Sequence, residues 1–143
     1  QTTVTEMAVT MAAISNGGVA MHPYIVSKVS SSSGATISQT APSILGQAIS
    51  SSTAAREQEI LKSVVDYGSG TAANIDGATV IGKTGTAETD KQKSDAWFVG
   101  TATAGGKSVT IAVLVEQGDS GGGVAAPLAH DILKTALERL GGL

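Results

Sequence analysis

The segment from Ser108 to Glu116 is apolar on both of its alternating sets of positions. One set contains Val109, Ile111, Val113 and Val115, and the other contains Ala112 and Leu114. Because successive side chains of a strand point to opposite faces, a strand of this kind needs cover on both faces. The sequence therefore predicts a sheet that lies between other layers of structure.

Two further strand patterns precede this segment, at residues Thr79 to Thr86 and Ala96 to Thr103. A polar connection from Glu88 to Asp95 joins the first pair, and Gly105-Gly106 provides a tight turn before the last strand. Connections as short as these favour neighbouring antiparallel strands. We expect a three-stranded antiparallel meander with Thr79 to Thr86 as an edge strand.

Helical patterns lie on either side of the chain's middle. Thr3 to Glu6 has the form of a capping box ahead of apolar residues at helical spacing, and Asn16-Gly17-Gly18 ends that helix. A second helix is predicted from near Thr53 to Gly68. Its apolar stripe comprises Ile60, Leu61, Val64 and Val65.

Pro127 suits the first turn of a final helix, for which the sequence predicts a buried stripe of Leu128, Ile132, Ala136 and Leu140. A hairpin is predicted from Tyr24 to about Ile37, followed by a connecting segment from Ser38 to Ser52. The runs from Gly68 to Thr71 and from Gly118 to Gly123 are predicted as mobile loops. The fold class is therefore α+β, with an antiparallel sheet packed against helices, and residues 1–143 form one domain or one piece of a domain.

Composition excludes several classes of function. The formal net charge of −3 and the lack of a Lys/Arg cluster argue against nucleic-acid binding. The chain has no cysteine, and no metal-ligand spacing surrounds His22 or His130, so we expect no metal and no cofactor. Aromatic residues make up only 3% of the chain, so the core must be largely aliphatic.

The four residues Lys83-Thr84-Gly85-Thr86 combine an ammonium group, two hydroxyls and an unhindered main chain at the end of one strand. A cation and hydroxyls suit a substrate carboxylate, and the Thr86 amide is a donor for a developing oxyanion. The competing interpretation is an ordinary polar strand end. Nearby, one of Trp97 and Phe98 is expected in the core and the other beneath the site, whereas the charged residues between Glu88 and Asp95 are expected in solvent.

Several segments resemble penicillin-binding proteins, in the order that family has them. Gly82 to Glu88, Ala96 to Gly100 and the strand ending Leu114-Val115-Glu116 are similar to the family's third-motif region. Val64 to Ala72 is similar to a family helix and its Gly-Thr-Gly-Thr-Ala loop, with Ser69 in place of the first Thr. Thr5 to Gly18 and Gly123 to Pro127 resemble the helix after the second motif and the start of the closing helix.

The resemblance implies the C-terminal portion of a β-lactamase/transpeptidase-like fold, from a class B, monofunctional D,D-transpeptidase. In that family a serine of a Ser-x-x-Lys motif attacks a D-Ala-D-Ala peptide or a β-lactam. Lys83 would hold the substrate carboxylate and assist proton transfer near the serine of a Ser-x-Asn motif. The Thr84 and Thr86 hydroxyls would also bind the carboxylate, and the Thr86 amide would form half of the oxyanion hole.

The sequence departs from the family because it contains neither Ser-x-x-Lys nor Ser-x-Asn. The family has both motifs N-terminal to the point that Gln1 matches, and the chain opens on helix-cap residues as an excised piece would. We expect the chain alone not to acylate, to require the N-terminal part of the domain as its partner, and to self-associate without it. The family places the enzyme at the extracytoplasmic face of the bacterial membrane, anchored by a segment outside this chain.

Two other functions stay open. The first is a non-catalytic module that uses the Lys83 strand to bind peptidoglycan stem peptides or β-lactams. The second is a piece of a serine β-lactamase, although Asn16-Gly17-Gly18 and the long connection from Glu88 to Asp95 are more similar to a transpeptidase.

Overall fold

The computed structural model describes residues 2–143, which form three helices, seven strands and two short helical turns. The helices are α1 (Val4–Ser15), α2 (Ser51–Asp66) and α3 (Ala126–Arg139). The strands are β1 (Val19–Met21), β2 (Lys28–Ser30), β3 (Thr36–Gln39), β4 (Ile44–Gln47), β5 (Thr79–Ala87), β6 (Asp95–Ala104) and β7 (Lys107–Val115). A 3₁₀ turn spans Thr71–Ala73 and a π-helical turn spans Gly121–Ala125.

The main sheet is an antiparallel meander in the order β5-β6-β7. Thr79 pairs with Thr103 at one end of β5 and Ala87 with Asp95 at the other, so the register runs without interruption. The predicted α+β fold is confirmed, and so is the expected edge position of β5 within the described residues.

One face of this sheet is closed by α3. Phe98 on β6 is fully buried against Leu133 and Leu137 of α3 and against Val65 of α2. Gly82 and Gly100 pair directly beneath the Phe98 ring, and a Cβ atom on Gly82 would stand 2.5 Å from Phe98 Cζ. The absence of side chains at these two glycines therefore provides the space that the ring fills.

The opposite face of the sheet packs on α1 and on Leu61 of α2. Met11, Leu61, Ile81 and Val99 form a small buried cluster there. Next to it, Thr101 is buried, and its hydroxyl lies 2.7 Å from that of Ser15 and 2.8 Å from that of Thr110. These hydroxyls satisfy one another and join α1 to the sheet.

The two-sided apolar strand β7 is covered on both faces, as its pattern predicts. Val109, Ile111, Val113 and Val115 pack toward the core that contains α3, and Ala112 packs toward the α1 cluster. These side chains are half-buried because β7 lies at the edge of the sheet.

The predicted capping box of α1 is confirmed. Thr3 Oγ1 accepts a hydrogen bond of 3.2 Å from Glu6 N, and Thr3 N donates to Glu6 Oε2 over 2.7 Å. Helix α2 begins at Ser51 with Ser50 as its cap, slightly before the predicted start near Thr53. The predicted apolar stripe of α2 is only partly buried: Leu61 and Val65 are buried, whereas Ile60 is 59% exposed.

The predicted buried stripe of α3 is wrong. Leu128, Ile132 and Leu140 are about half exposed, and the buried residues are Ala126, Ala129, Leu133 and Leu137. Both sets repeat at helical spacing, so periodicity alone does not choose between them. Packing chooses the second set, whose two leucines reach Phe98 while its alanines let α3 lie close to the sheet.

The residues between α1 and α2 form two small antiparallel sheets of two strands each. The predicted hairpin exists as β2 and β3, but the predicted connecting segment from Ser38 to Ser52 contains β4, which pairs with β1. With only four residues, β4 has too short a pattern to be predicted as a strand. It is a strand because it pairs with β1 in the folded chain. No helix in residues 2–143 is long and apolar enough to cross a membrane.

Candidate functional site

The end of β5 presents the four residues that the sequence singles out. Lys83 and Thr86 are exposed, Gly85 is partly buried, and Thr84 is 9% exposed. Lys83 pairs with Val99 and Thr84 pairs with Phe98, so the two side chains start on opposite faces of the sheet. Both line a cavity, as does Gly85, because the strand lies at the sheet edge.

The cavity, of about 500 Å³, lies between the sheet, α1 and α2. Its wall is mainly apolar, with Met7 and Met11 from α1, Leu61 from α2, and Trp97 and Val99 from β6. Glu57 of α2 contributes the carboxylate in the lining, a residue that sequence reasoning did not identify.

The Lys83 ammonium lines this cavity without an ion pair to any residue in the described range 2–143. Its Nζ donates to the main-chain oxygen of Thr84 over 2.7 Å, which leaves two of its three donors free. The arrangement can therefore offer a fixed positive charge to an anionic ligand.

The adjacent aromatic residues divide between core and cavity, as expected. Phe98 is fully buried in the core beneath α3. Trp97 is partly buried, pairs with Gly85 across the sheet and forms part of the cavity wall. A Cβ atom on Gly85 would stand 3.2 Å from Trp97 Cβ, so the Trp97 side chain packs against the Gly85 main chain.

A hydroxyl pair connects the strand to the loop that follows α2. Ser69 Oγ lies 2.6 Å from Thr84 Oγ1, and either oxygen can be the donor. The next residue, Gly70, donates its N–H to Val64 O over 2.9 Å, which ties the loop to the end of α2. This pairing was not predicted, because a contact between a loop serine and a strand threonine leaves no local pattern.

The predicted mobile loop from Gly118 to Gly123 is in part an ordered, packed turn, because Gly121–Ala125 is π-helical. Ser120 caps this turn by accepting from Gly123 N over 3.1 Å. Gly121 is buried directly on the main chain of Gly85, where a Cβ atom would overlap Gly85 O. The first part of the run is also held, because Gly118 N–H donates to Val115 O and Asp119 N–H donates to Ser94 O, so the small residues serve close contact along the run.

The connection between β5 and β6 is largely exposed, as predicted. Lys91 forms an ion pair with Glu116 at 3.1 Å, and Lys93 lies 3.9 Å from Asp119. The hydrogen bond and charge of Glu116 raise the pKa of Lys91. Exposed pairs of this kind contribute about 0–1 kcal/mol, so they add little to the stability of the fold.

No cluster of three or more potential metal ligands occurs among the residues that the structure describes. His130 Nδ1 forms a 2.7 Å hydrogen bond with Asn74 O, so this ring nitrogen already has a partner within the protein. The roles assigned to Lys83, Thr84, Gly85 and Thr86 stay predictions, although the structure brings all but Thr86 into the lining of one cavity.

Comparison with protein families matches residues 1–134 to the penicillin-binding protein transpeptidase domain. The peptidoglycan D,D-transpeptidase PbpA of Mycobacterium tuberculosis is 35% identical over 136 residues, which cover 89% of this chain and 28% of the relative.

Solved structures give the same result. A crystal structure of the D,D-transpeptidase domain of a peptidoglycan glycosyltransferase from Eggerthella lenta has a TM-score of 0.91 and 45% identity, over 100% of this chain and 34% of that one. A ceftriaxone acyl-enzyme complex of penicillin-binding protein A from M. tuberculosis has a TM-score of 0.83 and 33% identity, over 91% of this chain and 31% of that one. The chain thus spans about a third or less of the length of these proteins.

Proposed function

The chain belongs to the penicillin-binding protein transpeptidase domain family, and on that premise we propose that it is the C-terminal part of a class B, monofunctional peptidoglycan D,D-transpeptidase. The complete enzyme would cross-link cell-wall stem peptides and be acylated by β-lactams. The observation that carries this proposal is the edge strand from Lys83 to Thr86 beside an apolar cavity, whose lining includes a Lys83 ammonium with no ion pair within residues 2–143.

Carboxylate binding is the first task of this strand. Lys83 has two donors available beside its bond to Thr84 O, and the surrounding wall of Met7, Met11 and Trp97 is apolar. Charge attraction is stronger beside such a wall than in bulk water. The terminal carboxylate of a D-Ala-D-Ala peptide, or that of a β-lactam, would lie against Lys83 and the Thr84 and Thr86 hydroxyls.

Acyl transfer is the second task, and its nucleophile is a serine hydroxyl from a Ser-x-x-Lys motif outside this chain. Its oxygen adds to the carbonyl carbon of the penultimate D-Ala, and the resulting oxyanion accepts a hydrogen bond from Thr86 N–H. The C–N bond of the peptide then breaks, the departing D-Ala nitrogen takes the proton that the serine hydroxyl has lost, and the rest of the substrate stays bound to the serine as an ester. An amine of a second stem peptide displaces the serine and forms the cross-link.

Two further parts of the proposal concern the setting of the enzyme. The nucleophile comes from the N-terminal part of the transpeptidase domain, so the 143-residue chain alone would form no acyl-enzyme. The complete protein would lie at the extracytoplasmic face of the bacterial membrane, held by a segment outside this chain. Fluorescent-penicillin labelling of whole cells and of sealed cytoplasmic-side-out membranes would test the second point.

The mechanism predicts a large effect from loss of the Lys83 ammonium. In the complete enzyme Lys83→Ala should slow acylation by penicillin at least about tenfold, since it removes one electrostatic stabiliser of the transition state. Acylation would be followed by intact-mass spectrometry over time. Lys107→Ala is the matched control, because Lys107 is an exposed lysine at the opposite end of the same sheet.

An unchanged rate for Lys83→Ala would contradict the assignment of this residue. A wild-type protein that binds penicillin reversibly, with no covalent adduct, would instead support the non-catalytic binding module. The 143-residue chain by itself should show no adduct, and an adduct on it would refute the proposed external nucleophile.

A further inference from the structure

The Ser69 hydroxyl contacts the site from outside the sheet. Ser69 lies in the loop between α2 and the 3₁₀ turn, and its Oγ is 2.6 Å from Thr84 Oγ1. Thr84 is 9% exposed, whereas Ser69 is exposed. Ser69 is thus an accessible hydroxyl in direct contact with a nearly buried one.

The loop that carries Ser69 is held on two sides. On one side Gly70 N–H donates to Val64 O at the end of α2 over 2.9 Å. On the other side Gly122 lies so close that a Cβ atom there would stand 2.5 Å from Ser69 O. Groups held on both sides lose little freedom when a ligand binds, which is the condition for orienting a neighbour.

The number of hydrogens available decides the direction of the bond between these hydroxyls. Each hydroxyl has one hydrogen to donate and can accept as well. A carboxylate only accepts, so Thr84 must give its single hydrogen to a bound carboxylate in order to contribute to binding. In that state Thr84 Oγ1 is free only to accept, and Ser69 is the hydroxyl donor within reach.

We propose that Ser69 is a positioning residue, whose O–H donates to Thr84 Oγ1 and thereby directs the Thr84 hydrogen toward the substrate carboxylate. The inference rests on the proposed function, because it gives Thr84 a carboxylate to bind. Ser69 itself touches neither the substrate nor the reacting atoms. Donation from Ser69 also polarises the Thr84 hydroxyl, which strengthens the bond that Thr84 makes.

The test compares a ligand that has a carboxylate with the same ligand lacking one. Second-order acylation rates of the complete enzyme would be measured by intact-mass spectrometry with penicillin G and with its methyl ester. Ser69→Ala should slow acylation by the free acid about 5- to 10-fold, the scale of one hydrogen bond between neutral groups. Acylation by the ester should change less than about twofold.

Three further variants make the test specific. Ser69→Thr keeps a hydroxyl and should restore the wild-type ratio of acid to ester rates. Ser108→Ala should leave both rates unchanged, since Ser108 forms a similar 2.9 Å hydroxyl pair with Thr103 at the far end of the sheet. In a Thr84→Val background, Ser69→Ala should have no additional effect on the acid.

Each remaining outcome has a clear meaning. Equal slowing of acid and ester by Ser69→Ala would show a merely structural role and overturn the proposal. No slowing, failure of Ser69→Thr to restore the ratio, or an undiminished effect in the Thr84→Val background would overturn it as well. If the wild-type enzyme forms no adduct with the free acid, the proposed function itself fails, and this inference fails with it.

Discussion

The two faces of the β5-β6-β7 sheet differ in how completely they are covered. On the α3 face, Phe98, Leu133, Leu137 and Val65 are buried with almost no exposed surface. On the α1 face, a small cluster around Met11 and Val99 continues into a cavity of about 500 Å³ with Trp97 in its wall. The α3 face is fully packed around Phe98, whereas the α1 face is open next to Lys83.

This difference separates stability from function along a single strand. Consecutive residues of β6, Trp97 and Phe98, point to the open and the closed face, so adjacent positions serve different purposes. On β5 the division is less complete, because Thr84 starts on the closed face and Lys83 on the open one, yet both line the cavity. Substitutions on the two faces should therefore differ in what they damage.

Phe98→Ala and Trp97→Ala compare the faces most directly and should give the largest effect on stability. Phe98→Ala should lower the free energy of unfolding by about 3–5 kcal/mol, because Gly82 and Gly100 carry no side chains to fill the resulting void. Trp97→Ala should cost about 1–2 kcal/mol, since this side chain is only partly buried. Urea-induced unfolding of the 143-residue chain, followed by circular dichroism, measures both. Equal losses would show that the faces are packed alike.

The open face should also make the 143-residue chain self-associate. Light scattering should give a mean mass that rises with protein concentration, because apolar surface of the cavity wall is exposed to water. Met7→Ser on the open face should reduce the association, whereas Ile132→Ser on the exposed side of α3 should not. A concentration-independent monomer mass, or a stronger effect of Ile132→Ser, would contradict the assignment of association to this face.

The smallest effect is expected at the capping box of α1, the helix that covers the open face. Thr3→Ala should cost about 1 kcal/mol of stability near neutral pH. Hydrogen bonds from the Thr3 backbone N–H and side chain hold the pKa of Glu6 below its ordinary value. The stability that this provides is present above the unfolded-state pKa and is lost as the pH falls through the folded-state pKa.

Comparing urea midpoints at about pH 7 and about pH 3 should therefore show a smaller difference between Thr3→Ala and wild type at the lower pH. Thr10→Ala is a useful control, because its hydroxyl bonds to Glu6 O within the helix and not to the carboxylate. A Thr3→Ala cost that is the same at both pH values would show that the hydrogen bond from the Thr3 hydroxyl to the Glu6 carboxylate contributes nothing to the cap.

Much of the fold was predictable because its determinants are local. The capping box of α1, the alternation of three strands and the Gly105-Gly106 turn each depend on residues within a few positions of one another. The edge position of β5 was also expected, from the need for both Lys83 and Thr84 to reach one groove.

The errors occur where two local patterns are equally good or where none exists. Helix α3 carries two apolar ridges, and only contact with Phe98 selects the ridge of Leu133 and Leu137. Strand β4 depends on β1, which precedes it by more than twenty residues. The glycines after Ser120 were expected to be mobile, and contact with Gly85 orders them.

The sequence by itself determined the class of fold, the strand that carries Lys83 to Thr86 and the family to which the chain is similar, since these depend on residue order and short-range periodicity. The tertiary structure alone decided which face of the sheet stays open, that Gly121 lies on Gly85, and that Ser69 meets Thr84. The physical reason is the distance along the sequence between the interacting residues. Hydrogen bonds within a turn and alternation along a strand depend on neighbouring residues. Close packing depends on segments that meet only after the chain has folded.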